Sequence, residues 1–286
     1  MHGRKKVPLD EAKKLEQKKA IAYIREEYEK VMDAQAHPEK INEVVESKTP
    51  ILTRLDDFAT CWNMRKKYFK EHATKEQLDI ELEISENVIR SNPKSYWAFH
   101  HRRWCFEYMN ITELDHEIQL CTLLLNADFR NFHAWRHRRW AVKRMGNKYE
   151  EELQNSYDFI QKDFSNYSAW HYRSQLPNLT DFKAELDIVQ TCIYMDANDQ
   201  SAWIYLRWLL NHEEIYNDAE TLEQLESSIE ELQEMEPNAK YVLLAQIWVL
   251  QKMKEVDQEK IAKITDKLVQ LDPIRAPYYR EITHTN

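Results

Sequence analysis

The sequence predicts an all-α protein, a right-handed α–α superhelix built as a solenoid of helical hairpin repeats. Three observations carry that reading. Only two glycines, Gly3 and Gly146, occur in 286 residues, too few for the hairpin turns and bulges of a sheet protein. The remainder is rich in Leu, Glu, Lys, Gln and Ala, the good helix formers. An aromatic–arginine core also recurs along the chain at a spacing that suits one helical hairpin per copy.

Residues 1–40 interleave Lys and Glu and read as a charged N-terminal helix or arm, and residues 41–286 read as the repeat domain. Pro38 and Pro50 mark turns near its start. The repeat then appears as Cys61-Trp62-Asn63-Met64-Arg65, Ala98-Phe99-His100-His101-Arg102, Ala134-Trp135-Arg136-His137-Arg138, Ala169-Trp170-His171-Tyr172-Arg173 and Ala202-Trp203-Ile204-Tyr205-Leu206-Arg207. The anchor aromatics are separated by 37, 36, 35 and 33 residues. A weaker sixth copy runs from Glu236-Pro237-Asn238 to Trp248, and a seventh trace is Leu271-Asp272-Pro273.

Each copy has one layout. An amphipathic helix comes first, as in the stripes Leu114, Ile118, Cys121, Leu125 and Leu222, Leu225, Ile229, Leu232. A polar turn follows, holding Asn92-Pro93, Asp128, Asp163, Asp196 or Pro237. Ser95, Asn131, Asn166 and Asp199 stand four positions before their anchors and are placed to cap the second helix. The anchor and its Arg follow at i and i+3 on one face. The pairs Trp62/Arg65, Phe99/Arg102, Trp135/Arg138, Trp170/Arg173 and Trp203/Arg207 therefore either pack repeats together or line a partner-facing surface. In the packing reading, the indole N–H finds a turn carbonyl and the Arg ties a turn Asp or a carbonyl of the neighbouring repeat. Leu206 displaces the last Arg by one position.

Lys plus Arg number 40 and Asp plus Glu 49, a net charge of −9. That balance argues against non-specific nucleic-acid binding. The runs His100-His101-Arg102-Arg103-Trp104 and Arg136-His137-Arg138-Arg139-Trp140 mix basic and aromatic residues as RNA binders do. Their shared repeat position favours packing or a local anion site. No apolar stretch approaches the ~20 residues of a membrane helix, so no stable membrane insertion is expected, and the basic start lacks a signal-peptide core. The four cysteines lie far apart, without CxxC spacing, as expected in a reducing, cytoplasmic compartment. His133 and His137 have a zinc-compatible spacing, but Ala134 stands where the metalloprotease helix needs Glu. No Gly-rich phosphate loop or nucleophile elbow is present. The chain is a scaffold, or it supplies part of a site that another chain completes.

The repeats resemble the protein prenyltransferase α-subunit repeat, Pro-x-Asn-Tyr-x-x-Trp-x-x-Arg, and are more loosely similar to tetratricopeptide repeats. The matching stretches are Pro93-Lys94-Ser95-Tyr96, Asn131-Phe132-His133-Ala134-Trp135 and Asn166-Tyr167-Ser168-Ala169-Trp170-His171-Tyr172-Arg173, within a resemblance covering about Leu55 to Tyr279. Met1-His2-Gly3-Arg4, Asp57-Phe58-Ala59-Thr60, Asn92-Pro93-Lys94-Ser95-Tyr96, Asn198-Asp199-Gln200-Ser201-Ala202-Trp203 and Leu271-Asp272-Pro273-Ile274-Arg275-Ala276 are similar to the Rab geranylgeranyl (type II) branch. The resemblance is to the compact form, expected to lack leucine-rich and immunoglobulin-like extensions. The rival branch, the α subunit shared by farnesyltransferase and geranylgeranyltransferase type I, carries a Gln after the repeat Tyr to hold a substrate carboxylate. Trp97 stands there in this chain. A non-catalytic tetratricopeptide-like adaptor is the alternative from another class.

The resemblance implies an enzyme subunit, active only with a β subunit, that moves a geranylgeranyl group from geranylgeranyl diphosphate to C-terminal cysteines of Rab GTPases presented by a Rab escort protein. It assigns Lys94 to the departing diphosphate and places Tyr96 and His133 at the same mouth. It gives the zinc and the lipid pocket to the β subunit. The Met-His-Gly-Arg match implies that His2 contacts that zinc.

Overall fold

A computed structural model describes residues 10–282. Every regular element among them is a helix. They form two compact units, one ending at Met145 and one beginning at Gly146.

The first unit opens with α1 (Glu11–Ala36), whose N-terminus is capped by Asp10. α1 is exposed along most of its length. It buries Val31 and Ala34 near its end, where α2 (Ile41–Glu46) and α3 (Ala59–Glu71) pack on it. Tight 3₁₀ turns at Pro38–Lys40 and Pro50–Thr53 occupy the two proline positions, as fits residues with no N–H to donate. Two hairpins follow: α4 (Lys75–Ser91) with α5 (Tyr96–Tyr108), and α6 (Asp115–Ala127) with α7 (Phe132–Met145).

The second unit continues the layout. It pairs α8 (Tyr149–Lys162) with α9 (Tyr167–Arg173), then α10 (Phe182–Met195) with α11 (Gln200–Leu209). After the single turn α12 (Glu213–Tyr216), α13 (Ala219–Met235) pairs with α14 (Lys240–Leu250), the weaker sixth copy. α15 (Gln258–Leu271) and α16 (Ala276–Ile282) close the unit around the seventh trace.

The local chemistry of each repeat makes these boundaries. Asn92, Asp128, Asp163 and Asp196 end the first helices. Their side-chain oxygens accept the backbone N–H two residues on, at 3.2, 3.0, 3.0 and 2.8 Å, which fixes the turn. The expected caps then open the second helices: Ser95 accepts from Ala98, Asn131 from His133 and Ala134, Asn166 from Ala169 and Asp199 from Ser201.

The anchor aromatics are buried. The indole N–H groups of Trp62, Trp135, Trp170 and Trp203 donate to the carbonyls of Asp56, Phe129, Phe164 and Ala197, each six residues upstream. Phe99 has no such donor. The equivalent carbonyl, that of Pro93, instead accepts from Asn131 Nδ2 of the next repeat at 2.8 Å.

The arginines do more than the sequence suggested. Arg102 donates to the Leu82 carbonyl and Ser85 hydroxyl of its own repeat's first helix. It also forms a two-pronged pair with Glu117 on the next repeat's first helix, both contacts at 2.7 Å. His137 Nε2 closes on the same carboxylate at 2.6 Å. Arg65 holds Val45, Thr49 and Glu81, with His101 as the further donor. Arg173 holds Leu153, Ser156 and Glu185, with Tyr205 as the further donor. Arg138 likewise reaches the Ile118 carbonyl and the Thr122 hydroxyl. The expected tie to a turn Asp is thus corrected: the acceptors are helix carbonyls and a buried Glu.

Burial alone would raise the carboxyl pKa of Glu81 and Glu117, but the surrounding donors and cations outweigh it and hold both at about 2. Burial pushes the His101 and His137 pKa values down. Their Nδ1 atoms have no partner, as suits a neutral ring donating from Nε2. Arg207 breaks the pattern. It is exposed, while Leu206 fills the buried position, so the packing role expected of this Arg passes to Leu206.

Candidate functional site

Lys94 lies in the turn between α4 and α5, and Tyr96 is the first residue of α5. Lys94 Nζ sits 3.1 Å from Asp128 Oδ2 at the end of α6, with its side chain 62% exposed. Tyr96 is 47% exposed and stacks on His100 with ring centroids 5.9 Å apart. Phe99, one turn into α5, lies parallel to the His133 ring of α7 at 6.1 Å. The three residues assigned from sequence therefore lie on neighbouring parts of one surface: the α4–α5 turn and the first turns of α5 and α7.

The structure adds cations there that sequence reasoning did not assign. Tyr96, His100 and Arg103 are spaced i, i+4, i+7 and form one stripe along α5. Lys66 of α3 approaches His100 Nδ1 at 3.1 Å. His133 has its pKa depressed first by burial, then by the positive charges of Arg136, Lys94 and Arg103. Arg103 is held down by burial and by Arg136. His100 is held down by burial and by Lys66. Both imidazoles are neutral near pH 7. Among the described residues, neither Arg103 nor Arg136 has a carboxylate partner within ion-pair distance.

A chain of net charge −9 thus concentrates Lys66, Lys94, Arg103 and Arg136 around two neutral histidines and an exposed tyrosine. Such a cluster attracts a multiply charged anion. The available signal was the double arginine in the run Arg102-Arg103. Arg102 takes the buried staple position, and the next residue turns about 100° around the helix.

The surface carries no exposed cysteine thiol. The four cysteines are buried and free, and burial pushes Cys61 up to about 12 and Cys192 to about 11. Among the described residues no three His, Cys, Asp or Glu side chains group as a metal site, and no helix is long and apolar enough to cross a membrane. His2 lies outside the described residues.

Comparison with known proteins gives the repeat its class. Residues 78–109, 114–145, 149–178 and 182–213 match the family model described as the protein prenyltransferase alpha subunit repeat. A solved structure, Candida albicans protein geranylgeranyltransferase-I complexed with GGPP, aligns with a TM-score of 0.65 at 23% identity, over 80% of this chain and 79% of that one. That likeness establishes the helical repeat fold.

Geranylgeranyl transferase type-2 subunit alpha of Mus musculus is 35% identical over 240 residues, which is 75% of this chain and 42% of the mouse protein. The Dictyostelium discoideum protein of the same name is 30% identical over 251 residues, 81% of each chain. The chain belongs to the family of geranylgeranyl transferase type-2 α subunits. It spans less than half the length of the mammalian relatives it matches.

Proposed function

We propose that this chain is the α subunit of a cytoplasmic, heterodimeric Rab geranylgeranyltransferase. In this reading it works with a β subunit that carries zinc and the lipid pocket, on Rab GTPases presented by an escort protein. The observation that supports this most is the cation cluster of Lys94, Arg103 and Arg136 beside Tyr96 and His133, on a chain whose four cysteines are all buried.

The reaction forms a bond between a cysteine sulfur of the substrate protein and C1 of the isoprenoid. It breaks the bond from C1 to the diphosphate oxygen, and the leaving diphosphate takes the electron pair. The zinc would supply the thiolate at neutral pH. This chain's contribution is electrostatic. Lys94 meets the charge that grows on the departing oxygens, a role that counts only if the cation is placed beforehand. Asp128 holds Lys94 in place before substrate arrives, at the 3.1 Å contact, and Arg103 and Arg136 provide the surrounding field. Neutral His133 can donate to a phosphate oxygen, and Tyr96 adds a hydroxyl at the rim.

The test is to tag the chain, purify it from its own cells and identify what accompanies it by mass spectrometry. A near-stoichiometric β-type subunit with a Rab escort protein is expected. A β subunit without the escort, together with transfer to peptides ending in a CaaX box, would move the chain to the shared farnesyl/geranylgeranyl role. A stable chain with unrelated partners would leave an adaptor.

A further inference from the structure

The second unit contains a pocket of about 280 Å³ lined by Arg207, Leu210, Asn211, Trp248, Gln251, Lys252 and Ile282. Its origin lies in the one-residue displacement of the repeat arginine. In the other copies the Arg three residues after the anchor is buried. Here that position is Leu206, 0% exposed, and Arg207 is rotated about 100° further round the helix. The guanidinium leaves the staple and lies over the Trp248 ring at 5.2 Å.

One group at this pocket, the Trp248 indole N–H, lacks any acceptor, and two cations, Arg207 and Lys252, lack an anionic partner. Trp248 is 7% exposed, and its buried indole N–H has no acceptor among the described residues. Such an orphan donor costs about 1–3 kcal/mol and is rarely tolerated without cause. Arg207 makes only a long 3.4 Å contact to the Tyr278 hydroxyl besides its ring contact. Lys252 donates once, to Asn211 Oδ1 at 3.1 Å, and otherwise lies over the Tyr216 ring at 5.5 Å. Neither cation has a carboxylate within ion-pair distance among the described residues. Asn211 is committed at both ends, donating to the Arg207 carbonyl, and the Gln251 amide nitrogen is taken by the Ile282 carbonyl. Apart from the Gln251 side-chain oxygen, the free capacity in the pocket is therefore cationic and donating, beside an apolar wall of Leu210, Ile282 and the Trp248 ring.

We infer that this pocket binds an oxyanion carried on a small apolar group, with Arg207 and Lys252 holding the anionic oxygens. A carboxylate on a short branched chain and a phosphate group share the required chemistry, and the pocket is large enough for either. The pocket lies in the second unit and uses none of the residues assigned to the Lys94 surface.

The test uses the full chain with its partner subunit, labelled with 5-fluorotryptophan. The Trp248 resonance is identified by its loss in Trp248→Phe. Titrating N-acetyl-leucine, its neutral amide and inorganic phosphate in parallel separates the sources. A saturable shift of the Trp248 resonance with N-acetyl-leucine, phosphate or both is expected, at a dissociation constant on the order of 1 mM. Arg207→Gln and Lys252→Gln should each weaken it about tenfold. Both substitutions are at exposed or half-exposed positions and leave the core intact. No saturable shift with either anion would overturn the inference. An equal shift with the neutral amide, or one that survives both substitutions, would overturn it as well.

Discussion

Glu117→Gln removes one negative charge from the centre of the first unit while keeping side-chain shape. In the native chain Glu117 accepts two bonds from Arg102, both 2.7 Å, and one from His137 at 2.6 Å, with all three residues at or below 1% exposed. Gln keeps one acceptor oxygen and turns an NH₂ group towards donors that have no acceptor to offer. Arg102 is left buried with the Leu82 carbonyl, the Ser85 hydroxyl and a 3.5 Å contact to Glu86. Breaking a buried pair from one side costs about 3–5 kcal/mol. The Glu86 contact argues for the lower part of that range, roughly a 10 °C fall in melting temperature for a unit of this size. Thermal unfolding followed by far-ultraviolet circular dichroism measures it. The triple variant Arg102→Met/Glu117→Leu/His137→Leu is the control, because replacing every member of a buried ionic group by an apolar residue is close to neutral. It should recover most of the loss. A Glu117→Gln variant within about 0.5 kcal/mol of the parent, the range of ordinary surface changes, would refute the staple as a source of stability.

Three further outcomes follow from the same geometry. Asn131→Ala removes a two-bond cap and the donor to the Pro93 carbonyl, and should cost about 2 kcal/mol in denaturant unfolding. Acidification should destabilise the chain in two stages. His101 and His137 have lowered folded pKa values, so the unfolded state takes up protons first as pH falls below about 6.5. Glu81 and Glu117 titrate near 2 when folded, so their contribution is complete above about 4.5 and is lost below it; a melting temperature that rises as the pH falls from about 6.5 to 4.5 would contradict the first sign, and one that rises as it falls further the second. Arg103→Gln with Arg136→Gln should weaken diphosphate inhibition of the assembled enzyme about tenfold without altering association with the β subunit, measured by inhibition kinetics and analytical ultracentrifugation.

The repeat frame was legible because each of its local signals has a physical cause. Ser95, Asn131, Asn166 and Asp199 cap where their spacing placed them, and the four indoles find turn carbonyls. The acceptors of the staple were harder to see. Glu81, Glu117, Glu152 and Glu185 each stand 18 residues before an anchor aromatic, so their phase was present in the sequence. A Glu on a first helix rich in acidic residues looks solvated, however, until the next repeat's helix is laid over it. Arg103 and Arg136 were hidden for the opposite reason. Adjacent to buried arginines or histidines in the same runs, they looked like part of the packing, and only the helix geometry brings them, with Lys94, to bear on His133. The displacement at Leu206 was visible, but its consequence, the Arg207 guanidinium released over Trp248, depends on a residue 41 positions after that arginine.

The central claim is that the chain supplies placed cations to a transfer site completed by another subunit. Its most direct test is a single-turnover measurement on the assembled enzyme, comparing Lys94→Ala with the parent at saturating lipid and protein substrate. The chemical step should slow on the order of 100-fold, with α–β association unchanged. An unaltered single-turnover rate, or a loss traced entirely to failed assembly, would contradict it.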